Sequence, residues 1–275
     1  KVEKDELTNF INENKSDYPV KKLCEIFEIP RSGYYEKNSR KPSKTTKRRE
    51  SLKESIKDIY SKSHKIYGAP KIHNELIKTG NNCSLKLVQR IMKKDGIVSV
   101  TQKKYKPHPN KNIAINPPAP NLLNRDFTTV SLGEKLVSDI TYIHTVKDGW
   151  CYLATVMDLY SRRIIGWAFD KKMTVELVLK ALKIAKERIL SKTNCILHSD
   201  LGSQYTSKDY METAEKYGFI LSYSRKGNPY DNACIESFHA ILKKEWIYQK
   251  IYYSYEQASL SIFEFIESWY NRKRK

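Results

Sequence analysis

The chain has 275 residues, 40% hydrophobic and 29% charged, which is a folded, water-compatible composition long enough for more than one domain. It contains no apolar run of about eighteen residues and no signal-peptide core, so neither a spanning helix nor a secretory leader is expected. The net charge is +19, unevenly spread: residues 1–112 hold 27 Lys+Arg against 13 Asp+Glu (net +14), residues 113–275 hold 23 against 18 (net +5). A basic half ahead of a nearly balanced one implies a polyanionic partner. Nucleic acid fits better than a membrane surface, because the basic residues do not line one amphipathic, aromatic-rich helix. Cys24, Cys83, Cys151, Cys195 and Cys234 form no Cys-x-x-Cys, which argues against a zinc knuckle and a disulfide framework and fits a reducing compartment; they read as small buried apolar residues.

Residues 3–17 read as a polar helix. Val20–Phe27 follows with Val20, Leu23, Cys24 and Phe27 at helical spacing, and Glu28-Ile29-Pro30 breaks it. Arg31–Tyr35 opens a second short element with Ser32 placed to cap it. Helix, short turn and basic helix form a helix-turn-helix pattern, which a plain structural hairpin would match as well. Residues 36–49 read as a basic, Ser/Thr-rich linker, either solvated or tracking a DNA backbone. Residues 50–64 read as an amphipathic helix with Leu52, Ile56, Ile59 and Tyr60 on one face. Lys71–Lys78 is expected to turn Ile72, Leu76 and Ile77 inward. Ser84 caps a further helix that Gly96 ends, with Lys86, Gln89, Arg90, Lys93 and Lys94 outermost and phosphate-facing. Residues 97–106 look β-like and basic, as in the wing of a winged helix. Residues 107–121 hold five prolines and no periodicity, the mark of an extended linker.

From Leu136 the apolar period changes to two. Strands are expected over 136–145, 150–158, 164–169, 195–198 and 219–223, with a hairpin turn at Lys147-Asp148-Gly149. Helices are expected after Thr174, after Ser207 (ending at Gly218) and from Asp231 to Trp246. The order β-β-β-α-β-α-β-α gives a mixed five-stranded sheet with helices on its faces. The expected division is a helical hairpin with basic linker at 1–49, a winged-helix-like DNA-binding unit at 50–106, a Pro-rich linker at 107–132 and a catalytic core at 133–275.

Three acids fall at telling places on that skeleton. Asp139 lies inside the first strand, where an Asp is costly if buried without a partner. Asp200 lies just past the fourth strand, which is expected beside the first; alone it reads equally as a turn residue. Glu236 lies early in the last helix, where a solvated Glu would be ordinary. Together they converge where α/β sheets bind ligands. Three close carboxylates repel one another, and two hard divalent cations, Mg²⁺ or Mn²⁺, would relieve that and serve phosphodiester chemistry. Asp158 reads as half of a structural pair with Arg162 or Arg163, Asp231 as a first-turn helix acid, and His198 and His239 as core residues or supports behind the site. Arg225, Lys226 and Asn228, with Ser224, form a basic loop placed to hold a phosphate. Tyr230, Tyr252 and Tyr253 are candidates for stacking on unpaired bases, with core packing as the alternative.

The segments SDITYI (138–143), HSDLGSQYTS (198–207) and GNPYDNACIESF (227–238) resemble the three acidic motifs of DDE transposases from the third family of bacterial insertion sequences, which carry a retroviral-integrase-like core. Thirty-five residues separate Asp200 from Glu236, as in that family. VMDLYSRRIIGWAF (156–169), IYGAPKIHNEL (66–76) and RSGYY (31–35) extend the resemblance over nearly the whole chain. It implies an RNase H-like fold with Asp139, Asp200 and Glu236 as metal ligands. It also implies cleavage at the element's ends and strand transfer by the freed 3′-hydroxyl. Lys243, two turns after Glu236, would touch DNA, with Lys244 beside it. Leu201 departs from the more usual polar or basic residue. The implied partners are the terminal inverted repeats, target DNA and further copies of the chain, at least as a dimer. The implied setting is the bacterial cytoplasm and its nucleoid. The chain begins without Met and ends at YNRKRK without leucine heptads, so a fragment or the downstream half of a frameshift product is expected. A non-catalytic DNA-binding regulator and a purely hydrolytic nuclease of the same fold are the competing readings.

Overall fold

The computed structural model describes residues 4–39, 43–100, 118–189, 194–225 and 228–274. The chain forms two compact units, Lys1–Val98 and Ser99–Lys275.

In the first unit, helices α1 (Lys4–Asn14), α2 (Val20–Ile26) and α3 (Arg31–Ser39) enclose Ile11, Leu23, Cys24 and Tyr34, and the Tyr34 hydroxyl donates to Asn12 Oδ1 (2.8 Å). Helix α3 already begins at Arg31, so Ser32 lies inside its first turn and is not the cap. The basic stretch expected as linker is helical at both ends: α3 runs to Ser39, and α4 (Lys44–Lys62) starts behind Ser43, whose hydroxyl accepts the Thr46 N–H (3.1 Å). A good N-cap followed by Lys, Arg and Glu favours helix whatever the charge density. Helices α5 (Ala69–Lys78) and α6 (Leu85–Lys94) pack with α4 over Leu52, Ile56, Ile72, Leu76, Val88 and Met92. Ser84 caps α6 by accepting the Leu87 N–H (3.3 Å). Ile77, expected inward, is exposed. Residues 97–100 form no strand, and the rest of the expected wing, 101–106, lies outside the described residues, as does most of the proline-rich stretch.

The second unit is built on one sheet in the order β3-β2-β1-β4-β5. Strands β1 (Lys135–Thr145), β2 (Gly149–Asp158) and β3 (Ile164–Asp170) form an antiparallel meander. Strands β4 (Cys195–Ser199) and β5 (Phe219–Tyr223) join parallel through helices α7 (Val175–Arg188) and α8 (Lys208–Lys216). Leu177, Val178, Ala181, Leu182 and Ala185 of α7 pack with Leu136, Ala154, Val156 and Ala168 on one face. There the helix comes so close that a Cβ on Gly166 would run into the Ala181 carbonyl oxygen and lie 2.8 Å from Ala185 Cβ and N. Thr174 stands at the N-cap of α7 without a side-chain capping bond to the backbone.

Helix α9 (Ala233–Glu245) packs against β1, behind a short 3₁₀ turn, Pro229–Asn232. The sequence pattern assigns no element to 247–275. The structure places α10 (Tyr255–Phe263) there, running on into a π-helical stretch, Glu264–Tyr270, in which Asn271 N–H reaches Ile266 O (3.0 Å). Ile262, Phe265, Ile266 and Trp269 are buried. Residues 120–125, expected as free linker, are fastened to this unit: Tyr223 N–H donates to Pro120 O (3.3 Å), Leu122 N–H donates to Ser222 Oγ (2.8 Å), and Leu123 is buried. Among the described residues no helix is long and apolar enough to cross a membrane.

Candidate active site

Strand β4 pairs with β1 only over Lys135–Val137. Asp139 therefore sits where β1 leaves β4, and Asp200 follows directly on the last residue of β4. Asp139 Oδ1 accepts the Ile140 N–H (2.8 Å), and its Oδ2 lies 3.2 Å from His239 Nδ1. The other ring nitrogen of His239 meets Thr155 Oγ1 (2.8 Å), and Thr155 is directly opposite Asp139 on β2. His239 thus joins α9 to β1 and β2, and it is nearly buried (8% exposed). Both ring nitrogens are thus engaged, one by the Asp139 carboxylate and the other by the Thr155 hydroxyl.

Asp200 lies at the surface, and its Oδ1 accepts the Gly202 N–H (3.0 Å). A Cβ on Gly202 would stand 3.0 Å from that oxygen, so a larger residue there would push the carboxylate aside by a few tenths of an ångström. Crowding around the carboxyl raises its pKa, and the charge of Asp139 adds to the rise. Glu236, exposed in the first turn of α9, is raised by desolvation and then by the charges of Asp139 and Asp200. The charge of Asp139 thus reaches both of the other acids. Among the described residues, however, no three His, Cys, Asp or Glu side chains already enclose a metal-sized space. The donor set is all carboxylate oxygen, which suits a hard divalent cation.

Behind the acids lies a polar floor. Ser138 Oγ meets the hydroxyl of the buried Tyr205 (3.1 Å) and donates to Thr155 O (3.1 Å), and burial pushes the Tyr205 phenol well up. Buried His198 lies between Ser222 Oγ (2.8 Å, at Nδ1) and Ser224 Oγ (3.0 Å, at Nε2). Ser222 Oγ also accepts the Leu122 N–H, and with a hydroxyl at each ring nitrogen a neutral imidazole is satisfied on both sides. Burial holds His198 down at about 4, as this neutral form requires. Both histidines are buried and hydrogen-bonded within the fold, His239 to Asp139 and Thr155 and His198 to two serines.

Two acids differ from expectation. Asp158 makes no Arg pair; it accepts the Gly133 N–H (2.9 Å) and the Ser161 N–H (2.7 Å) and hydroxyl (2.6 Å), fixing the β2–β3 turn. Asp231 is more than a helix-turn acid. Fully buried, it accepts from Arg225 N, Nε and Nη2 (3.0, 2.8 and 2.8 Å), Arg125 Nε (3.0 Å) and Asn121 Nδ2 (3.0 Å). These bonds, led by the Arg225 side chain, hold its carboxyl far below the usual range.

Of the expected DNA contacts, Lys243 projects from α9 with its ammonium 4.1 Å from the Tyr142 ring centroid, and desolvation lowers its pKa against the opposing pull of Asp139. Lys244 is exposed. The Arg225 guanidinium is engaged by Asp231 while half its side-chain surface stays open. Asn228 N–H donates to Arg225 O (3.1 Å), and its own carbonyl accepts the Asp231 N–H (3.2 Å). Lys226 lies outside the described residues. Arg90, Lys93 and Lys94 are exposed on α6, in the other unit. Leu201 packs against the sheet core. Tyr252 is buried with its hydroxyl on Ser261 (2.9 Å), so it is a packing residue; Tyr230 and Tyr253 are exposed.

A five-stranded mixed sheet with one acid inside β1, one just past the neighbouring β4 and one on the helix after β5 is an RNase H-like integrase core. Family models described as "Integrase core domain" match residues 131–229 and 217–275, and one described as "HTH-like domain" matches 47–105, the α4–α6 unit rather than the α2–α3 hairpin. The chain is 34% identical over 268 residues to the Transposase InsF for insertion sequence IS3A of Escherichia coli, covering 97% of this chain and 92% of that one. It is 36% identical over 253 residues to the Insertion element IS600 uncharacterized 31 kDa protein of Shigella sonnei, 92% of each. A simian T-cell lymphotropic virus intasome chain aligns over 77% of this chain and 68% of its own at 14% identity and TM-score 0.41, a likeness too loose to bear on the site. The chain belongs to the insertion-sequence transposases of this integrase-core family and is a DDE-type transposase.

Proposed function

We propose that Asp139, Asp200 and Glu236 are the metal-binding and catalytic carboxylates of this transposase, and that they cut DNA at the element's ends and join the freed 3′-hydroxyl to target DNA. What carries this is the placement of three acids on adjoining elements, Asp139 within β1, Asp200 just past the neighbouring β4 and Glu236 in the first turn of α9, which packs on β1; the charge of Asp139 raises both of the others. Two bound Mg²⁺ or Mn²⁺ ions would supply activation of the attacking hydroxyl and stabilisation of the leaving oxygen. The protein's own part is positional. His239 and Gly202 N–H orient the Asp139 and Asp200 carboxylates, and the Asp231 clamp fixes the start of the helix that carries Glu236. Lys243 offers a partly desolvated cation beside Asp139, suited to a phosphate next to the one being cut. The α4–α6 unit, with Arg90, Lys93 and Lys94 on the open side of α6, serves recognition of the terminal repeats. A dimer or larger assembly holding two ends, acting in the bacterial cytoplasm on nucleoid DNA, completes this reading.

The test uses labelled duplex carrying the element's terminal repeats, with Mg²⁺. Wild type should nick and join; Asp200→Asn should bind as wild type and cut at least about a hundredfold more slowly. Normal cutting by Asp200→Asn overturns the site assignment, and nicking without joined products leaves a nuclease.

A further inference from the structure

Three residues beyond Asp139 on β1, on the strand stretch that β4 does not cover, the chain carries an aromatic cluster that the catalytic reading does not use. Tyr142 and Trp150 meet edge-to-face at 5.1 Å between centroids, and His144, directly opposite Trp150 across the β1–β2 ladder, meets the same indole at 5.0 Å. Tyr142 and Trp150 are 54% and 53% exposed, which is unusual for rings of this size packed on a sheet. A groove of about 320 Å³ runs beside them, floored by Ile143 and Ile247 and flanked by Lys250, with no Asp or Glu among its lining residues. Lys243 ties the cluster to the active site: its ammonium covers the Tyr142 ring at 4.1 Å and also senses the charge of Asp139. Lys250 holds its ammonium 4.9 Å from the Trp246 ring.

We propose that this shelf is a binding subsite for unpaired bases of a DNA strand passing through the active site, with Lys243 and Lys250 on its phosphates. The proposal rests on the transposase reading of the acids above. Open aromatic faces interleaved with cations, and no acids, match the chemistry of a single strand, whose bases expose π-faces that a duplex hides. Tyr142 alternates to the strand face opposite Asp139, and Lys243 bridges the two, its ammonium over the Tyr142 ring and within reach of the Asp139 charge. A chain that has just been cut must keep its end in place while the second substrate arrives, and stacking there would retain it without reading sequence.

The experiment uses the full chain in EDTA, so that binding is measured apart from cutting. The probes are a labelled oligothymidylate of about ten nucleotides and a blunt dA·dT duplex of the same length. Trp150→Ala and Tyr142→Ala should each weaken the single strand about tenfold or more, while duplex binding stays within about twofold; Trp150→Phe should retain most single-strand affinity. Both side chains are half exposed, so the variants should fold, and circular dichroism checks this. Equal loss on both probes, no loss on the single strand, or a wild type that binds only duplex would each overturn the shelf. So would variants that change sedimentation and leave DNA binding untouched, since the patch would then be a contact between copies. Wild type binding neither probe would defeat the DNA-binding reading as a whole, whereas Asp200→Asn that still cuts would defeat only the acid assignment.

Discussion

Replacing Asp231 by Asn should uncouple the loop before α9 while leaving its shape nearly unchanged. The carboxylate is fully buried and accepts five hydrogen bonds, two at Oδ1 and three at Oδ2, from Arg225, Arg125 and Asn121. Asn keeps one oxygen and turns an NH₂ toward donors at the other, so two or three of these bonds are lost. Hydrogen bonds to charged groups contribute about 1.5–3 kcal/mol each. Both arginines are about half exposed (47% and 50%) and regain water, so the net loss should be nearer 2–4 kcal/mol in all. The pH dependence carries the same signature. The folded-state pKa of Asp231 lies far below its unfolded value, so its stabilisation is complete above about pH 4 and drains away as pH falls toward the folded value. From 3.9 to 2.5, at 1.36 kcal/mol per unit, wild type should lose about 2 kcal/mol through this group, and the variant none. Urea unfolding at pH 7 and pH 2.5, without metal, reads both quantities. A difference below about 1 kcal/mol at pH 7, or one that is the same at both pH values, would refute the clamp.

Three further substitutions probe the site and the sheet. His239→Ala should lower cleavage about 10- to 100-fold and raise the Mg²⁺ concentration needed for half-maximal rate, because the Asp139 carboxylate loses its orienting partner; an unchanged metal requirement counts against that role. Gly202→Ala should leave urea stability within about 0.5 kcal/mol and reduce cleavage about tenfold, since its Cβ displaces Asp200 Oδ1 by a few tenths of an ångström; wild-type rates would show that Asp200 tolerates the shift. Gly166→Ala should destabilise the core by about 3 kcal/mol or more, measured by urea unfolding, because the added carbon meets the α7 backbone, which cannot rotate away.

The sheet was readable because its signals are periodic and local. Alternation starting at Leu136, a Lys-Asp-Gly turn and capping serines at 84 and 207 each specify an element without tertiary help. The three acids of the proposed site were placed from those elements alone. Asp231 was not, because its meaning comes from Arg125 and Asn121, more than a hundred positions away, and sequence proximity shows only a neighbouring helix start. The docked 120–125 segment was hidden for the same reason: five prolines announce an extended backbone and say nothing of what that backbone lies against. Residues 247–275 escaped assignment because helix α10 is apolar around much of its circumference and shifts its period where it turns π-helical, which blurs a 3.6-residue repeat. His239 was legible as a support, but its partner was fixed only by the β1–β2 register that puts Thr155 opposite Asp139.

The same register explains how the site can hold its acids apart without losing them. Asp139 stands on β1 and Asp200 directly after β4, strands that cease to pair after Val137, so the ladder sets their spacing up to that residue and β4 does not cover β1 at Asp139. Glu236 comes from a helix, and a helix can slide. Two anchors oppose that: Asp231, five residues before Glu236, binds the segment 121–125 and Arg225, and His239, three residues after it, binds Asp139 and Thr155. The backbones that carry the acids are thereby fixed on both sides of the exposed Glu236, and what remains adjustable is side-chain torsion.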